Sequence, residues 1–288
     1  MAKNIRNAIE NRMDTFSKGQ KRIARYILDH GDKAAYLTAS KLGEVAQVSE
    51  STVVRFASEL GYHGYPGMQR ALQELARSRL SAAQRFQEAG DRFSGPDLPG
   101  AVFHADAENL RRAALQVDRD AFDRAVERIM NARHVYILGV RSSFFVAGYL
   151  HFYLHLLFEK VTLVQSNAAG EIFEQLFRIG PEDVLLAISF PRYSAVTVSA
   201  VQFARDRGAS IVAVTDNVSS PLCAFSDAPV LIPCGMLSFV DSMAAPLSLM
   251  NALLIALSRR MGADVSAIFS DLEDIWNEYG IFGKLDGE

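Results

Sequence analysis

The stretch Leu37–Leu72, LTASKLGEVAQVSESTVVRFASELGYHGYPGMQRAL, predicts two short helices joined by a tight turn, with a third helix behind them. Thr38 and Ser49 have side chains that cap helix N-termini, and Gly61 has the conformational freedom that ends a helix. In both short helices the apolar residues recur at helical spacing. They predict buried faces formed by Leu42, Val45 and Ala46 in the first helix and by Val53, Phe56, Ala57 and Leu60 in the second.

The other face of the second helix carries small polar residues and an arginine, which suits a helix lying in the major groove of DNA. Such side chains donate to phosphates, and arginine also contacts guanine bidentately. We therefore predict base or groove contacts from Ser51, Thr52 and Arg55, beside Ser49 at the helix start. Contacts to the DNA backbone are predicted from Lys41, Tyr62, His63 and Tyr65. A helical bundle with a capped, solvated helix explains the same periodicity.

Charge is distributed unevenly along the 288 residues. Residues 1–79 carry 13 Lys and Arg against 8 Asp and Glu, a net charge of +5. The remainder carries 17 against 25, a net charge of −8, which gives −3 for the whole chain. A basic end on an acidic body predicts a polyanion as the partner of the N-terminal part, although an imbalance of this size also arises by chance.

Cysteine usage and hydropathy argue against several classes of protein. The spacing of Cys223 and Cys234 fits neither a disulfide framework nor a zinc site, so we expect buried thiols in a reducing cytoplasm. The charged N-terminus does not resemble a signal peptide. The most apolar stretch, Phe144–Phe158, is too short to span a membrane. It contains His151 and His155, whose spacing we assign to a packed helix or dimer interface rather than to a metal site. No metal or cofactor is predicted.

The chain divides into three segments. Residues 1–80 have all-helical periodicity and form the predicted helix-turn-helix domain, an all-α unit. Residues 81–105 are rich in glycine and proline and are predicted to be a linker. Residues 106–288 predict a three-layer α/β domain with a five-stranded parallel sheet, because short apolar strands alternate with helices. The predicted strands are 135–139, 161–164, 184–189, 211–215 and 230–233.

Polar residues cluster where two of these strands enter helices. Gly139-Val140-Arg141-Ser142-Ser143 follows the first strand, and Ser189-Phe190-Pro191-Arg192-Tyr193-Ser194 follows the third. Ligands bind beyond the carboxyl ends of parallel strands, where backbone N–H groups and helix dipoles favour anions. Helix capping is the alternative for the serines. For Arg192 the alternative is a solvated side chain or an ion pair with a nearby carboxylate such as Glu171 or Asp216.

The string VSESTVVRFASELGYHGYP resembles the N-terminal domain of the RpiR family of bacterial transcriptional regulators, whose members show a VSxxTVxRFxxxLGxxGYP-like pattern. The matching positions are Val48, Ser49, Thr52, Val53, Arg55, Phe56, Leu60, Gly61, Gly64, Tyr65 and Pro66. Gln47 departs from the pattern, because a glycine is frequent in this turn. Residues 109–260 resemble a sugar isomerase (SIS) domain, the usual C-terminal partner in the family.

The resemblance to SIS domains implies phosphate binding by Ser143, which matches the serine of a GxGxS-like turn. It implies the same for Ser189 and Ser194, which match the first and last positions of an SxSGx(S/T) motif. Arg141 replaces the second glycine of the turn, and Pro191-Arg192 replaces the Ser-Gly of the motif. Proline lacks an N–H donor, whereas arginine offers a bidentate grip on a phosphate or carboxylate. The implied effector-binding residues are Arg141, Ser142, Ser143, Glu171, Ser189, Arg192 and Ser194.

The two resemblances together imply a cytoplasmic, DNA-binding transcriptional regulator of bacterial carbohydrate metabolism that is controlled by a sugar phosphate or related sugar acid. We expect a homodimer or homotetramer on a roughly palindromic double-stranded operator, no membrane partner and no enzymatic activity. One alternative is a sugar-phosphate isomerase in which Glu171 is the proton-shuttling base. Another is a non-specific DNA-binding protein with a vestigial SIS domain.

Overall fold

The computed structural model describes residues 5–90, 93–165 and 169–282. The chain divides into two compact units. The first unit holds the chain up to Ala105 together with the short segments Asn217–Ser220 and Met236–Asp241, and the second unit holds the remainder.

Short helices form the first unit, as the apolar periodicity predicts. Phe16 meets Phe56 edge to face in its core, with ring centroids 5.1 Å apart. Other fully buried core side chains are Ile9, Ile23, Leu42, Met68 and Leu72. The elements are α1 (Ile5–Glu10), a 3₁₀ turn (Met13–Thr15), α2 (Lys18–Asp29), α3 (Gly31–Ala34), α4 (Ala39–Ala46), α5 (Glu50–Glu59), α6 (Gly64–Arg79) and α7 (Ala82–Ala89).

Side-chain caps set where several of these helices begin. Thr38 and Ser49 each accept a backbone N–H from the first turn of the following helix, which confirms the predicted starts of α4 and α5. Ser17 and Ser81 form complete capping boxes at the starts of α2 and α7. The local sequence therefore determines these helix starts.

The buried face of α4 differs from the predicted one at Val45, whose side chain is 42% exposed. The residues of α4 that are buried are Ala39, Leu42, Gly43 and Ala46, which follow i, i+3, i+4 and i+7. This stripe is centred on Gly43, where the turn to α5 packs, and Val45 falls outside it. The assignment of Val45 to the core was therefore wrong.

A five-stranded parallel sheet lies at the centre of the second unit, as predicted. Its strands are β1 (His134–Gly139), β2 (Val161–Val164), β3 (Asp183–Ile188), β4 (Ser210–Thr215) and β5 (Ala228–Leu231), in the spatial order β2-β1-β3-β4-β5. The remaining elements of the chain are α8 (Leu98–Gln116), whose residues from Asp106 onward belong to this unit, α9 (Arg119–Met130), α10 (Ser143–Leu157), α11 (Ala169–Leu176), α12 (Ala195–Asp206), a 3₁₀ turn (Pro221–Ala224), α13 (Ala244–Met261) and α14 (Ala263–Glu278).

Helices cover both faces of this sheet. Successive strand residues point to opposite faces. Ile137 and Leu186 therefore pack in one core with α9, α10 and α13, whereas Leu138 and Leu185 pack in another with α11 and α12. All six residues of β3 are buried, which explains its almost continuously apolar sequence. This arrangement confirms the predicted three-layer α/β fold.

The strand order reverses between β1 and β3. From β1 the chain moves outward to β2, and from β3 it moves in the opposite direction to β4 and β5. Gly139 pairs with Ile188, so β1 and β3 end side by side. Ligands in open α/β sheets bind at such switch points, and both polar segments singled out from the sequence begin here.

Three further features differ from the sequence expectations or add to them. Helix α7 and the start of α8 fall within the predicted linker, residues 81–105. Helix α14 was not predicted, and none of its residues is buried. Cys223 and Cys234 are half-buried rather than buried, and burial raises the pKa of the Cys223 thiol to about 11.

Among the described helices, none has both the length and the apolarity of a membrane span.

Candidate DNA-binding helix and effector site

A tight turn joins α4 to α5. Gln47 adopts the left-handed conformation with φ +54°, and the Val48 N–H donates to the Gly43 carbonyl at 2.8 Å. A Cβ on Gly43 would lie 2.8 Å from the Val48 carbonyl oxygen, so the turn packs on α4 only because that residue is glycine. The left-handed backbone at Gln47 explains why a glycine is frequent at this position in the related pattern.

Three hydroxyl groups gather at the start of α5. Ser49 Oγ accepts the Thr52 N–H at 3.3 Å and lies 2.8 Å from Thr52 Oγ1 and 2.9 Å from Ser51 Oγ. Arg55 lies one turn further along, exposed, with its Nε 3.4 Å from the Ser51 carbonyl oxygen. The structure therefore brings the four predicted residues of α5 onto one end of the helix, where a recognition helix contacts base edges.

The predicted DNA-backbone contacts occupy different environments. Lys41 and His63 are exposed. Lys41 Nζ lies 2.6 Å from Glu44 Oε2, and this hydrogen bond raises the pKa of the ammonium group. Tyr62 is half-buried against the helical core. Lys41 and His63 remain the accessible candidates, and Lys41 must exchange its partner Glu44 for a phosphate.

Tyr65 belongs to the core rather than to a DNA-contacting surface. It is only 6% exposed, and its hydroxyl donates to the Leu37 carbonyl oxygen at 2.6 Å. Burial raises the pKa of this phenol to about 12. The prediction of a DNA contact from Tyr65 was wrong, because the hydroxyl satisfies a carbonyl between α3 and α4.

The first polar segment connects β1 to α10. A Cβ on Gly139 would lie 2.5 Å from the Ser143 carbonyl oxygen, so glycine is required for the helix to start directly above the strand end. Arg141 has a left-handed backbone with φ +56°. Ser142 occupies the N-cap position without making a side-chain capping bond. Ser143 is 6% exposed, and its hydroxyl has no hydrogen bond within the described part of the chain.

The second polar segment connects β3 to α12 and repeats these features. Ser189 is 4% exposed, with no hydrogen bond from its hydroxyl among the described residues. Arg192 has a left-handed backbone with φ +63°. Ser194 is the N-cap residue of α12 and makes no side-chain capping bond. In the same first turn, the buried Oγ1 of Thr197 has no hydrogen-bond partner within the described ranges.

Helix capping does not explain these serines. Serine, threonine or aspartate side chains cap five other helices of the chain, α2, α4, α5, α7 and α9. The hydroxyls of Ser142 and Ser194 do not cap α10 and α12, although both occupy the position where serine ordinarily does so. Both serines, together with the backbone N–H groups of two helix starts, follow directly after the carboxyl ends of β1 and β3.

The two arginines of these segments are not used in ion pairs. The side chains of Arg141 and Arg192 are exposed, and neither makes a salt bridge within residues 5–90, 93–165 and 169–282. The predicted ion pair of Arg192 with Glu171 or Asp216 was therefore wrong, whereas the other predicted alternative, a solvated side chain, agrees with its exposure. Asp216 instead accepts hydrogen bonds from Tyr193 Oη at 2.7 Å and from Thr215 Oγ1 at 3.3 Å.

Glu171 lies in the first turn of α11, beyond the neighbouring strand β2, and its side chain is exposed. The sheet order places three strand ends next to one another, with β1 in the middle. Sequence reasoning missed Thr197. Thr197 lies three residues after Ser194, the spacing at which side chains of a first helical turn share a face.

His151 and His155 stack on each other on α10, with ring centroids 5.4 Å apart. His155 Nδ1 lies 3.1 Å from the His151 carbonyl oxygen. Burial lowers the pKa of His151, and the neighbouring His155 lowers it further. Among the described residues, no group of three histidine, cysteine or acidic side chains is arranged to hold a metal ion.

The chain resembles known proteins in both sequence and fold. Residues 3–78 match the model of the rpiR-family helix-turn-helix domain, and residues 128–256 match the SIS domain. The chain is 27% identical to the HTH-type transcriptional regulator HexR of Pseudomonas aeruginosa, over 91% of this chain and 92% of that protein. It is 25% identical to HexR of Escherichia coli, over 76% of this chain and 74% of that protein.

Two solved structures are similar in fold. The sugar isomerase domain of an RpiR transcription factor from Sphaerobacter thermophilus is 28% identical, with a TM-score of 0.58 over 62% of this chain and 99% of that one. The Vibrio vulnificus NanR protein complexed with ManNAc-6P is 22% identical, with a TM-score of 0.59 over 97% of this chain and 99% of that one. With a helix-turn-helix domain of the rpiR type followed by a SIS domain, the chain belongs to the RpiR family of transcriptional regulators.

Proposed function

We propose that this regulator binds an operator through α5 and that a sugar phosphate, bound where β1 and β3 end, controls its affinity for that operator. The similarity to HTH-type regulators over three quarters or more of the chain supports the DNA-binding role. A relative of similar fold is described as complexed with ManNAc-6P, a phosphorylated sugar, which supports the class of effector. A DNA partner supports a cytoplasmic location, which we propose as well.

One observation carries the effector site. At the switch point of the sheet, two helices begin side by side without side-chain caps, whereas five other helices are capped. Ser143 and Ser189, both more than nine-tenths buried, lie at the same strand ends, and the buried Oγ1 of Thr197 in the first turn of α12 has no hydrogen-bond partner among the described residues. Leaving such groups unsatisfied is unfavourable, and a phosphate bound there accepts from hydroxyls and helix N–H groups together.

The DNA-binding site that we propose comprises the N-cap residue Ser49 and Ser51, Thr52 and Arg55 on α5, with Lys41, Tyr62 and His63 as backbone contacts. Tyr65 is excluded because it is buried. A two-fold dimer presents two such helices about 34 Å apart, so that half-sites recur at one helical turn of DNA or a multiple of it. An effector that binds one dimer geometry more tightly than the other favours that geometry. The free energy of operator binding then changes by at most the difference between the effector's binding free energies for the two geometries.

The proposed dimer uses an apolar surface on α10, α13 and α14, three mutually contacting helices. Its exposed side chains, between 41% and 74% accessible, are Phe145, Phe152, Tyr153, Ile255, Ile275 and Tyr279. Together, the six exposed side chains present an area of roughly 800 Å². This is the area that each partner buries in an interface of standard size. A tetramer requires a second surface in addition to this one.

Sedimentation velocity tests the dimer surface. We expect Phe152→Asp to convert the protein to a monomer, while Leu115→Asp, at a side chain 87% exposed on α8, leaves the dimer intact. Far-UV circular dichroism and thermal unfolding verify that both variants are folded. A dimeric Phe152→Asp protein, or a monomeric wild type, contradicts this surface.

We further propose that the chain is not an isomerase. Glu171 is the acidic side chain placed for proton transfer at this strand edge, and it is exposed, whereas a catalytic base is usually tuned by burial. Helix α5 and its hydroxyl network have no role in isomerisation. Steady-state turnover of sugar phosphates by the wild type that is lost in Glu171→Gln would contradict this proposal.

The effector site is tested by thermal shift and by operator binding with the same protein samples. A sugar phosphate should raise the melting temperature of the wild type and change its operator affinity. Ser143→Ala and Ser189→Ala should lose both effects while keeping basal operator binding. A serine variant that responds as the wild type does would remove that residue from the site.

A further inference from the structure

Helix α2 carries an unbalanced set of charges. Its 12 residues include the cations Lys18, Lys21, Arg22 and Arg25 and a single acidic side chain, Asp29. Helix α9, also 12 residues long, carries three arginines and three acidic residues. A solvated helix face ordinarily mixes both signs, as α9 does. The excess of positive charge on α2 therefore points to an anionic partner rather than to solvation alone.

Three of these cations lie on one outward face of the helix. Lys18, Arg22 and Arg25 follow i, i+4 and i+7, and all three are exposed. The opposite face packs in the core of the helical unit through Ile23 and Ile27. The three cations form a stripe about 10 Å long, since each residue of a helix rises about 1.5 Å. This set is called the α2 stripe below.

The α2 stripe is not used in ion pairs of the protein itself. Within the described ranges, Lys18, Arg22 and Arg25 have no carboxylate partner. Asp29 lies one turn beyond Arg25 but does not pair with it. By contrast, the lysine of α4 that is predicted to contact DNA is already held by an acidic neighbour. A polyanion can therefore bind the stripe without first displacing an internal carboxylate.

The first half of the stripe lies beside the proposed recognition helix. A Cβ on Gly19 would lie 3.3 Å from Val48 Cγ1 and 3.6 Å from Thr52 Cγ2, so the glycine allows the first turn of α2 to approach the start of α5 closely. Arg22 Nη1 lies 3.5 Å from Gln47 Oε1, in the turn that joins α4 to α5. The α2 stripe therefore flanks the side chains that we propose to contact the operator.

We propose that the α2 stripe binds the DNA backbone, with Lys18, Arg22 and Arg25 each neutralising a phosphate beside the groove that α5 enters. This inference rests on the DNA-binding role proposed above and adds to that surface a helix outside the helix-turn-helix pair. Contacts to phosphates position a protein on DNA but carry no sequence information. The stripe therefore supplies affinity and orientation, whereas Arg55 and the hydroxyls at the start of α5 read the sequence.

The salt dependence of operator binding tests this role. On double-stranded DNA, each phosphate contact contributes about 0.9 to the slope of log affinity against log salt concentration. A two-fold dimer makes each contact twice. Arg22→Gln should therefore lower the magnitude of this slope by about 1.8 and weaken operator binding at least about fivefold at about 0.1 M salt. Lys18→Gln and Arg25→Gln should act in the same way, measured by fluorescence anisotropy over a series of salt concentrations.

Two further variants separate a phosphate contact from other effects. Lys33 is exposed on α3, which packs on α2 and α6, and it likewise has no acidic partner in the described part of the chain. Lys33→Gln removes the same charge from the same unit and should leave both slope and affinity as in the wild type. Arg22→Lys keeps the charge and should keep the slope. Far-UV circular dichroism verifies that all variants are folded.

A comparison of two duplexes separates backbone contacts from base contacts. The ratio of affinities for an operator enriched from a random library and for a scrambled duplex should stay within about twofold of the wild-type ratio in the α2 variants. Arg55→Ala should lower this ratio. A fall in the ratio as large in Arg22→Gln as in Arg55→Ala would place Arg22 on a base and contradict the inference.

The remaining outcomes distinguish this inference from the proposed function. An unchanged salt slope in all three α2 variants, with affinity lost in Arg55→Ala, overturns the role of the stripe and leaves that of α5 standing. An equal fall of the slope in Lys33→Gln also overturns it, because net charge alone would then explain the effect. A wild type that binds the enriched and the scrambled duplex equally well contradicts the proposed function itself.

Discussion

Arg141 and Arg192 adopt the same left-handed backbone conformation, with φ +56° and +63°, just beyond the adjacent strands β1 and β3. Residues other than glycine rarely adopt this conformation, and the related SIS motifs have glycine at these positions. Strained backbone of this kind concentrates at functional sites, where the surrounding structure maintains it. The strain, the uncapped helices and the buried serines therefore point to one ligand-binding edge.

Replacing either arginine by glycine should stabilise the protein while impairing its effector response. The left-handed conformation costs a residue with a side chain about 1 kcal/mol, so Arg141→Gly and Arg192→Gly should each raise the free energy of unfolding by about that amount. Urea unfolding without ligand measures this. A marked loss of stability in either variant would show that the side chain has a structural partner and would contradict a ligand-binding role.

Arg55→Ala should weaken operator binding by about 1–3 kcal/mol and leave the free energy of unfolding nearly unchanged, because the side chain is exposed. Arg70→Ala on α6 is a matched control. Its Nε also lies 3.4 Å from the carbonyl oxygen four residues earlier, so the variant removes the same charge and the same local contact. Equal losses of operator affinity in the two variants, measured by fluorescence anisotropy, would refute a specific role for Arg55.

Two serines at helix starts should respond in opposite ways. Ser49 caps α5, so Ser49→Ala should lower the free energy of unfolding by about 1 kcal/mol. Ser142 makes no capping bond, so Ser142→Ala should change stability by less than about 0.5 kcal/mol and yet weaken the response to a phosphorylated effector. The comparison fails if Ser142→Ala destabilises the protein as much as Ser49→Ala does.

Stability should fall as the pH is lowered through 6.5. Burial lowers the pKa of His134 below its ordinary value of 6.5, and Asp183 opposes this shift to a smaller extent. The unfolded state therefore binds a proton that the folded state does not, so stability is present above pH 6.5 and is lost as the pH falls. Burial shifts the pKa of His151 in the same direction.

Urea unfolding at neutral pH and at about one pH unit below 6.5 measures this effect. His134→Gln and His151→Gln should each reduce the difference between the two conditions, and the double variant should reduce it most. A wild type that is equally stable in both conditions would contradict the burial of neutral imidazoles.

Much of the fold could be predicted because the local signals are strong. Thr38 and Ser49 are capping residues in the sequence and in the structure, and the apolar run of β3 is buried on both faces. Val45 and Tyr65 were wrongly assigned because periodicity locates an apolar stripe only approximately, and a tyrosine hydroxyl finds its partner through tertiary contact.

The candidate site could be predicted only in part. The sequence places serines and arginines at two strand ends, because the carboxyl ends of parallel strands meet at one edge. It does not reveal that Ser142 and Ser194 make no capping bonds or that Arg141 and Arg192 have positive φ. Those properties depend on how α10 and α12 meet the sheet. Thr197 was missed for the same reason, since its burial is a tertiary property.

We propose that the edge formed by β1 and β3 controls DNA binding. The most direct measurement is the affinity for a labelled operator duplex, enriched from a random library with this protein, with and without a saturating sugar phosphate that stabilises the wild type in the thermal-shift experiment. We expect a change in affinity of at least about fivefold for the wild type and no change for the Ser143→Ala, Ser189→Ala double variant, at equal affinity without ligand. An equal change in both proteins, or no change in the wild type, would contradict this role.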